Sequence, residues 1–185
     1  MAFTYVRHNS PFLKQGEIID NLFEFKLQIP AQESIDYVRK RAKFDPISHP
    51  SVIVVSQDCD LEWDYKARFE GASVHKLIAH ILCCSLFSRY EITDETKQKS
   101  RMFELVKQNQ DERYYYLAEA PVNGTEDTLP EMVADFKTVF SLPTEFVYWL
   151  VSTGQAIRKG GLFSPYLEHF MHRLYSFLGR VATPE

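Results

Sequence analysis

The run His49-Pro50-Ser51-Val52-Ile53-Val54-Val55-Ser56-Gln57-Asp58-Cys59-Asp60 decides the fold. Val52 to Val55 is an unbroken series of β-branched residues, which suit a pleated strand. No polar residue alternates with them, so the strand is expected to be buried on both faces. Ser56 to Asp60 ends it abruptly. Polar groups at the tip of a rigid strand, on an accessible loop, are candidates for a site.

Upstream, Leu22, Phe23, Phe25, Leu27 and Ile29 alternate loosely within Phe12 to Ile29, which predicts a bent strand closing at Pro30. Ser34 to Phe44 is polar and predicts a short helix or loop. Downstream, Trp63 to Gly71 reads as an acidic-aromatic connection. Val74 to Phe87 is bulky and apolar and predicts a second core strand. Glu91 to Ser100 predicts a charged loop or short helix. Arg101 to Val106 and Arg113 to Ala120 flank the polar Lys107 to Glu112 and predict a β-hairpin. After the linker Asn123 to Asp127 the character changes. Val133 to Phe140 has helical spacing, with a strand through Phe136 to Phe140 as the alternative. Thr144 is placed to cap a helix running to about Arg158, stopped by Gly160-Gly161. Ser164-Pro165 opens a last helix whose apolar stripe is Leu167, Phe170, Met171, Leu174, Phe177, Leu178 and Val181.

Of the 185 residues 45% are hydrophobic and 14% aromatic, enough to fill a core and argue against disorder. The formal net charge of −4 disfavours duplex DNA as a partner held by charge alone. No stretch reaches the roughly 18 apolar residues needed to span a bilayer, and Met1 to Ser10 has no signal-peptide pattern. Three cysteines, two of them adjacent, do not form a disulfide framework, which fits a reducing cytoplasm.

Several constellations compete for chemistry. Asp58, Asp60, Glu62 and Asp64 alternate, so a strand would align them for a hard cation; solvated surface charge has the same spacing. Cys59 could be a nucleophile with His49, His75 or His80 as its base, or a structural thiol. Cys83, Cys84 and His80 could join Cys59 around zinc, although no Cys-x-x-Cys pair supports that. His169 and His172, one helical turn apart, could bind a metal or merely share a half-exposed face. If the two core strands are neighbours, His49, Ser56, Asp60 and Ser85 could together supply the acid–base and charge-stabilising groups for metal-free RNA cleavage. Gln57, Asp58 and Cys59 would then line the binding surface. Arg39 and Arg41, within Arg39-Lys40-Arg41-Ala42-Lys43, would contact phosphate or simply be solvated.

The order of these features resembles the MazF/PemK-like toxins. Gln15-Gly16-Glu17-Ile18 is similar to their Gly-Asp-Ile opening strand. His49-Pro50-Ser51-Val52-Ile53-Val54-Val55-Ser56 is similar to their Arg-Pro-Val-hydrophobic run ending in Ser or Thr. Ile78 to Ser85 is similar to their next core strand. The resemblance covers about residues 12–88. It implies a small SH3-like β-barrel, often dimeric, acting as a ribonuclease without metal or other cofactor and bound by an antitoxin whose tail fills the RNA groove. The family's catalytic arginine falls on His49 and its catalytic Thr/Ser on Ser85.

The expectation is therefore an α+β protein. Residues 1–122 form an SH3-like barrel, and residues 123–185 form a helical extension packed on it. The expected function is a cytoplasmic toxin or antiviral-defence effector that cuts single-stranded RNA. The alternative is a non-catalytic barrel binding a partner protein, such as an antitoxin, or a nucleic acid. Trp63, Tyr65, Tyr148 and Trp149 would then be its anchors, and the long terminal helix leaves room for a homodimer.

Overall fold

The computed structural model describes residues 4–28, 43–92 and 98–180. Val52 to Val54 close a 12-residue strand, β3 (Lys43–Val54), with Val55 just beyond it; β1 (Tyr5–Val6) and β2 (Glu17–Gln28) precede it. β4 (His80–Phe87) follows, then β5 (Tyr114–Leu117), β6 (Ala120–Asn123), β7 (Thr128–Leu129), β8 (Met132–Pro143) and β9 (Ile157–Leu162). Their order across the sheet is β5-β8-β4-β3-β2-β9-β1-β6-β7. Every pairing is antiparallel except that of β1 with β6. Helices α1 (Asp58–Phe69), α2 (Arg89–Ile92), α3 (Gln98–Lys107), α4 (Thr144–Ser152) and α5 (Tyr166–Leu178) complete an α+β fold. The sheet is large and open, with β5 and β7 at its ends.

The two-faced burial expected of Val52 to Val55 is found. Ile53 and Val55 enter one core with Cys84, Leu86, Phe136 and the α5 residues Phe170, Met171 and Leu174. Val52 and Val54 enter a second core with Leu61 of α1, Cys83, and Val147 and Leu150 of α4. The sheet is thus sandwiched between α5 on one face and α1 with α4 on the other. A smaller cluster holds α3 through Phe103 and Val106.

Several local expectations are corrected. Residues 63–71 are not a connection, because α1 begins at Asp58 and runs to Phe69. Its acids therefore spread around a helix instead of sharing one strand face. Glu62 pairs with Lys66 at 2.5 Å. Asp64 is fully buried, receives Arg68 at 2.8 and 3.1 Å, and accepts the Ile78 N–H at 2.7 Å. Arg101 to Val106 belongs to α3, and β5 pairs with β8, so the expected hairpin is absent. The core strand begins at His80, since Val74 and Leu77 are exposed and Val74–Lys76 is a short 3-10 turn. The expected helix through Arg158 ends at Ser152, where Gly154 at φ 72° lets the chain leave. Residues 123–185 are not purely helical: β8 and β9 both lie in the sheet, and Gly160-Gly161 is part of β9. A Cβ at Gly160 would come 2.9 Å from Val122, so the close strand approach requires glycine there.

Arg158 of β9 closes the N-terminal loop. It binds both carboxylate oxygens of buried Glu17, at 2.6 and 3.0 Å. It also donates to the carbonyls of Ser10 at 2.8 Å and Phe12 at 3.1 Å. No membrane-crossing helix, long and apolar enough, is present among the described residues.

Candidate functional site

Two proline positions in β3 shape the site. Pro46 and Pro50 precede the four residues, Ser51 to Val54, where β4 pairs with β3, so only β2 pairs with this part of the strand. β2 and β3 pair in one register, but Asn21 and Pro50 do not form a pair and Asn21 holds φ 65°. Beyond this irregularity Leu22 pairs with His49. On the other side of β3, Val52 pairs with Ser85. Opposite Ser85 the β4–β8 register shifts, Cys84 pairing with Val139 and Leu86 with Ala134. Residues 135–138 therefore bulge opposite Ser85, which has no β8 partner.

His49 Nδ1 accordingly lies 3.2 Å from Ser85 Oγ, across 36 residues of sequence. The imidazole stacks on Phe140, with ring centroids 4.0 Å apart and planes 11° apart. Its other nitrogen, Nε2, is 3.4 Å from Glu24 Oε1, within ion-pair reach but out of hydrogen-bond alignment. Glu24 sits two residues beyond Leu22, the diagonal neighbour of His49 across the β2–β3 pair. The side chains of His49 and Glu24 are 12% and 31% exposed, and Ser85 is 6% exposed. All three line a cleft of about 320 Å³, together with Ser51, Glu91 and Phe140. No lysine or arginine lines it among the described residues.

The other residues expected at this site lie elsewhere. β3 and β4 are neighbours, as required, but they are antiparallel. The exit of β3 at Ser56 therefore meets the start of β4, whereas Ser85 lies near β4's end. Ser56 Oγ accepts the Leu82 N–H at 2.9 Å. Ser56, Gln57 and Asp60 line a separate cavity of about 370 Å³ with His80, Leu174 and Tyr175. Asp58 is occupied structurally, accepting the Gln15 N–H at 2.6 Å and facing Lys14 at 3.7 Å. Cys59 is exposed in the first turn of α1, and its nearest polar contacts are Gln57 and Asp60, not a histidine. Cys83 and Cys84 are buried, which raises both thiols to about 12. His169 Nδ1 lies 3.2 Å from the Tyr115 hydroxyl. Among the described residues no three His, Cys, Asp or Glu side chains gather to hold a metal ion. Arg39 and Arg41 lie outside the described residues.

Glu24 is the member of the site that sequence reasoning did not name. The signal for it was the i, i+2 spacing of Leu22 and Glu24, usable only once Leu22 is known to face His49. A second feature was partly foreseen. Tyr65 of α1, with Tyr148 and Trp149 of α4, lines a groove of about 800 Å³, to which Phe69, Leu77 and Arg68 also contribute. The fourth expected anchor, Trp63, lies outside that groove, near Lys66 and Lys76.

No model of a known protein family matches the chain, and no curated protein sequence matches it either.

Proposed function

We propose that this protein is a metal-independent endoribonuclease of the MazF/PemK-like kind, acting on single-stranded RNA through His49. One observation carries the reading: His49 and Ser85, the positions aligned with that family's catalytic pair, lie 3.2 Å apart in one cleft. The strands that the resemblance covers, β2, β3 and β4, are neighbours in the open sheet, and the SH3-like barrel it implies would need further strands to close on them. In the reaction the imidazole takes the 2′-hydroxyl proton. O2′ attacks phosphorus, the P–O5′ bond breaks, and the leaving oxygen takes a proton back from the imidazolium. The products are a 2′,3′-cyclic phosphate and a 5′-hydroxyl. Ser85 orients the ring. Ser56 and Asp60 have no part in this step, since they line another cavity.

Purified protein is expected to cut single-stranded RNA in excess EDTA, and His49→Ala to slow cutting about a hundredfold or more. RNA left intact by a large molar excess of folded protein overturns the reading.

The aromatic groove favours a second reading, a module that docks a partner protein. Trp149 is about half exposed on its wall, a typical anchor environment. A partner co-purified at equal stoichiometry from the native host, and lost in Trp149→Glu, would support it. A monomer recovered without a partner would count against it.

A further inference from the structure

We infer that Glu24, His49 and Ser85 form a carboxylate–imidazole–hydroxyl relay that makes Ser85 Oγ a nucleophile, giving the cleft a second activity towards uncharged esters. The inference shares its cleft with the RNA reading but differs from it in nucleophile and substrate.

The argument begins with the two ring nitrogens. A neutral imidazole carries one N–H and one bare lone pair, and the hydrogen bond at one nitrogen selects the state of the other. Glu24 Oε1 is 3.4 Å from Nε2 without a hydrogen bond, and the charge of that carboxylate favours the proton there. Nδ1 is then bare and faces Ser85 Oγ at 3.2 Å. A serine beside a bare ring nitrogen, with a carboxylate behind the ring, is the arrangement that activates a hydroxyl nucleophile. Both distances are slightly long, as such contacts commonly are in a site without substrate. Glu24 is partly exposed, so its carboxylate has room to rotate into line. The Phe140 face fixes the plane of the ring, so the imidazole cannot swing away from both partners.

Charge selects the substrate. An uncharged ester needs no cation to hold it, and none lines the cleft among the described residues, where Glu24 and Glu91 are the carboxylates. The register shift opposite Ser85 leaves that residue without a β8 partner, and Thr138, Val139 and Phe140 line the cleft beside it.

Diisopropyl fluorophosphate is a neutral probe for this chemistry. Ser85 Oγ would attack phosphorus, the P–F bond would break, fluoride would leave, and the seryl proton would pass to His49 Nδ1. Intact-mass and peptide analysis should find one diisopropylphosphoryl group, on Ser85. Ser85→Ala should abolish it. His49→Gln should slow labelling about a hundredfold or more. Glu24→Gln should slow labelling and shift its pH profile, and Glu24→Asp should restore part of both; a purely structural Glu24 would leave the profile unchanged. Each variant is checked for native far-ultraviolet dichroism. Absence of labelling while chymotrypsin in the same tube is labelled overturns the inference, as does a label on any other residue. RNA cutting by wild-type protein that the probe leaves unlabelled removes the nucleophile and leaves the RNA reading standing. Labelling of Ser85 without RNA cutting does the reverse.

Discussion

At the scale of single residues, burial separates groups that look alike in sequence. The three cysteines share one reagent but not one environment. Cys59 is exposed, while Cys83 and Cys84 lie in the two cores on opposite faces of the sheet. Iodoacetamide at neutral pH should therefore alkylate Cys59 alone in the native protein, and all three in denaturant; peptide mapping reads the difference. Burial raises the Cys83 and Cys84 thiols to about 12, from an ordinary value of 9.0. The unfolded chain sheds these protons first. The stability they contribute is complete below pH 9 and is lost progressively as the pH rises towards 12. Urea titrations across that range should show the decline, and Cys83→Ala should reduce its slope.

Asp64 makes the same point with opposite chemistry. It is fully buried, and it is held by Arg68 and by the Ile78 N–H. Asp64→Ala leaves the Ile78 N–H unmatched and the Arg68 guanidinium with only Glu145 and the Ile78 carbonyl, and should cost roughly 1–3 kcal/mol in urea unfolding. Arg68→Met added to it should recover part of that loss. A single substitution costing under about 1 kcal/mol would show that the pair is solvated, because exposed pairs are worth no more than this.

At the scale of elements, what could be read in advance depended on whether the signal was local. Val52 to Val55 announced a doubly buried strand because β-branching and unbroken apolarity act within one segment. The terminal helix was visible in its apolar spacing, and the structure buries Phe170, Met171 and Leu174 from that stripe. α1 was missed because only Leu61 and Asp64 of its residues are buried, so it shows no apolar stripe. Its signals were electrostatic: Asp58 and Asp60 in the first turn, Lys66 and Arg68 in the last, and two i, i+4 acid–base pairs. β8 was ambiguous because the bow at 135–138 breaks its period of two. The site was half legible for a related reason. His49 and Ser85 were named together and do meet. Ser56 and Asp60 were grouped with them because the direction of strand pairing is not written in either strand. Antiparallel pairing sends the two strand ends apart, and the same pairing geometry on β2 brings in Glu24.

At the scale of the molecule, one sheet is stabilised by a core on each face. The α5 core rests on large side chains, and Phe170 is completely buried between Tyr115 and Phe136, with ring centroids at 5.1 and 5.7 Å. Phe170→Ala should cost about 3–5 kcal/mol by far-ultraviolet dichroism in urea. A cost under about 1 kcal/mol would mean that α5 is not seated as described. Arg173 ties the same helix to the backbone carbonyls of Asn109, Asp111 and Tyr114.

The placement of the indole rings has a practical consequence for anyone who follows this chain by its emission. Its two tryptophans, Trp63 and Trp149, sit on α1 and α4, the same side of the sheet, and the α5 side has none. Light emitted at long wavelength therefore reports on one half of the sandwich. If the terminal helix peels off first, its departure would be silent in fluorescence and visible only as lost helical ellipticity or as early deuterium uptake along residues 166–178.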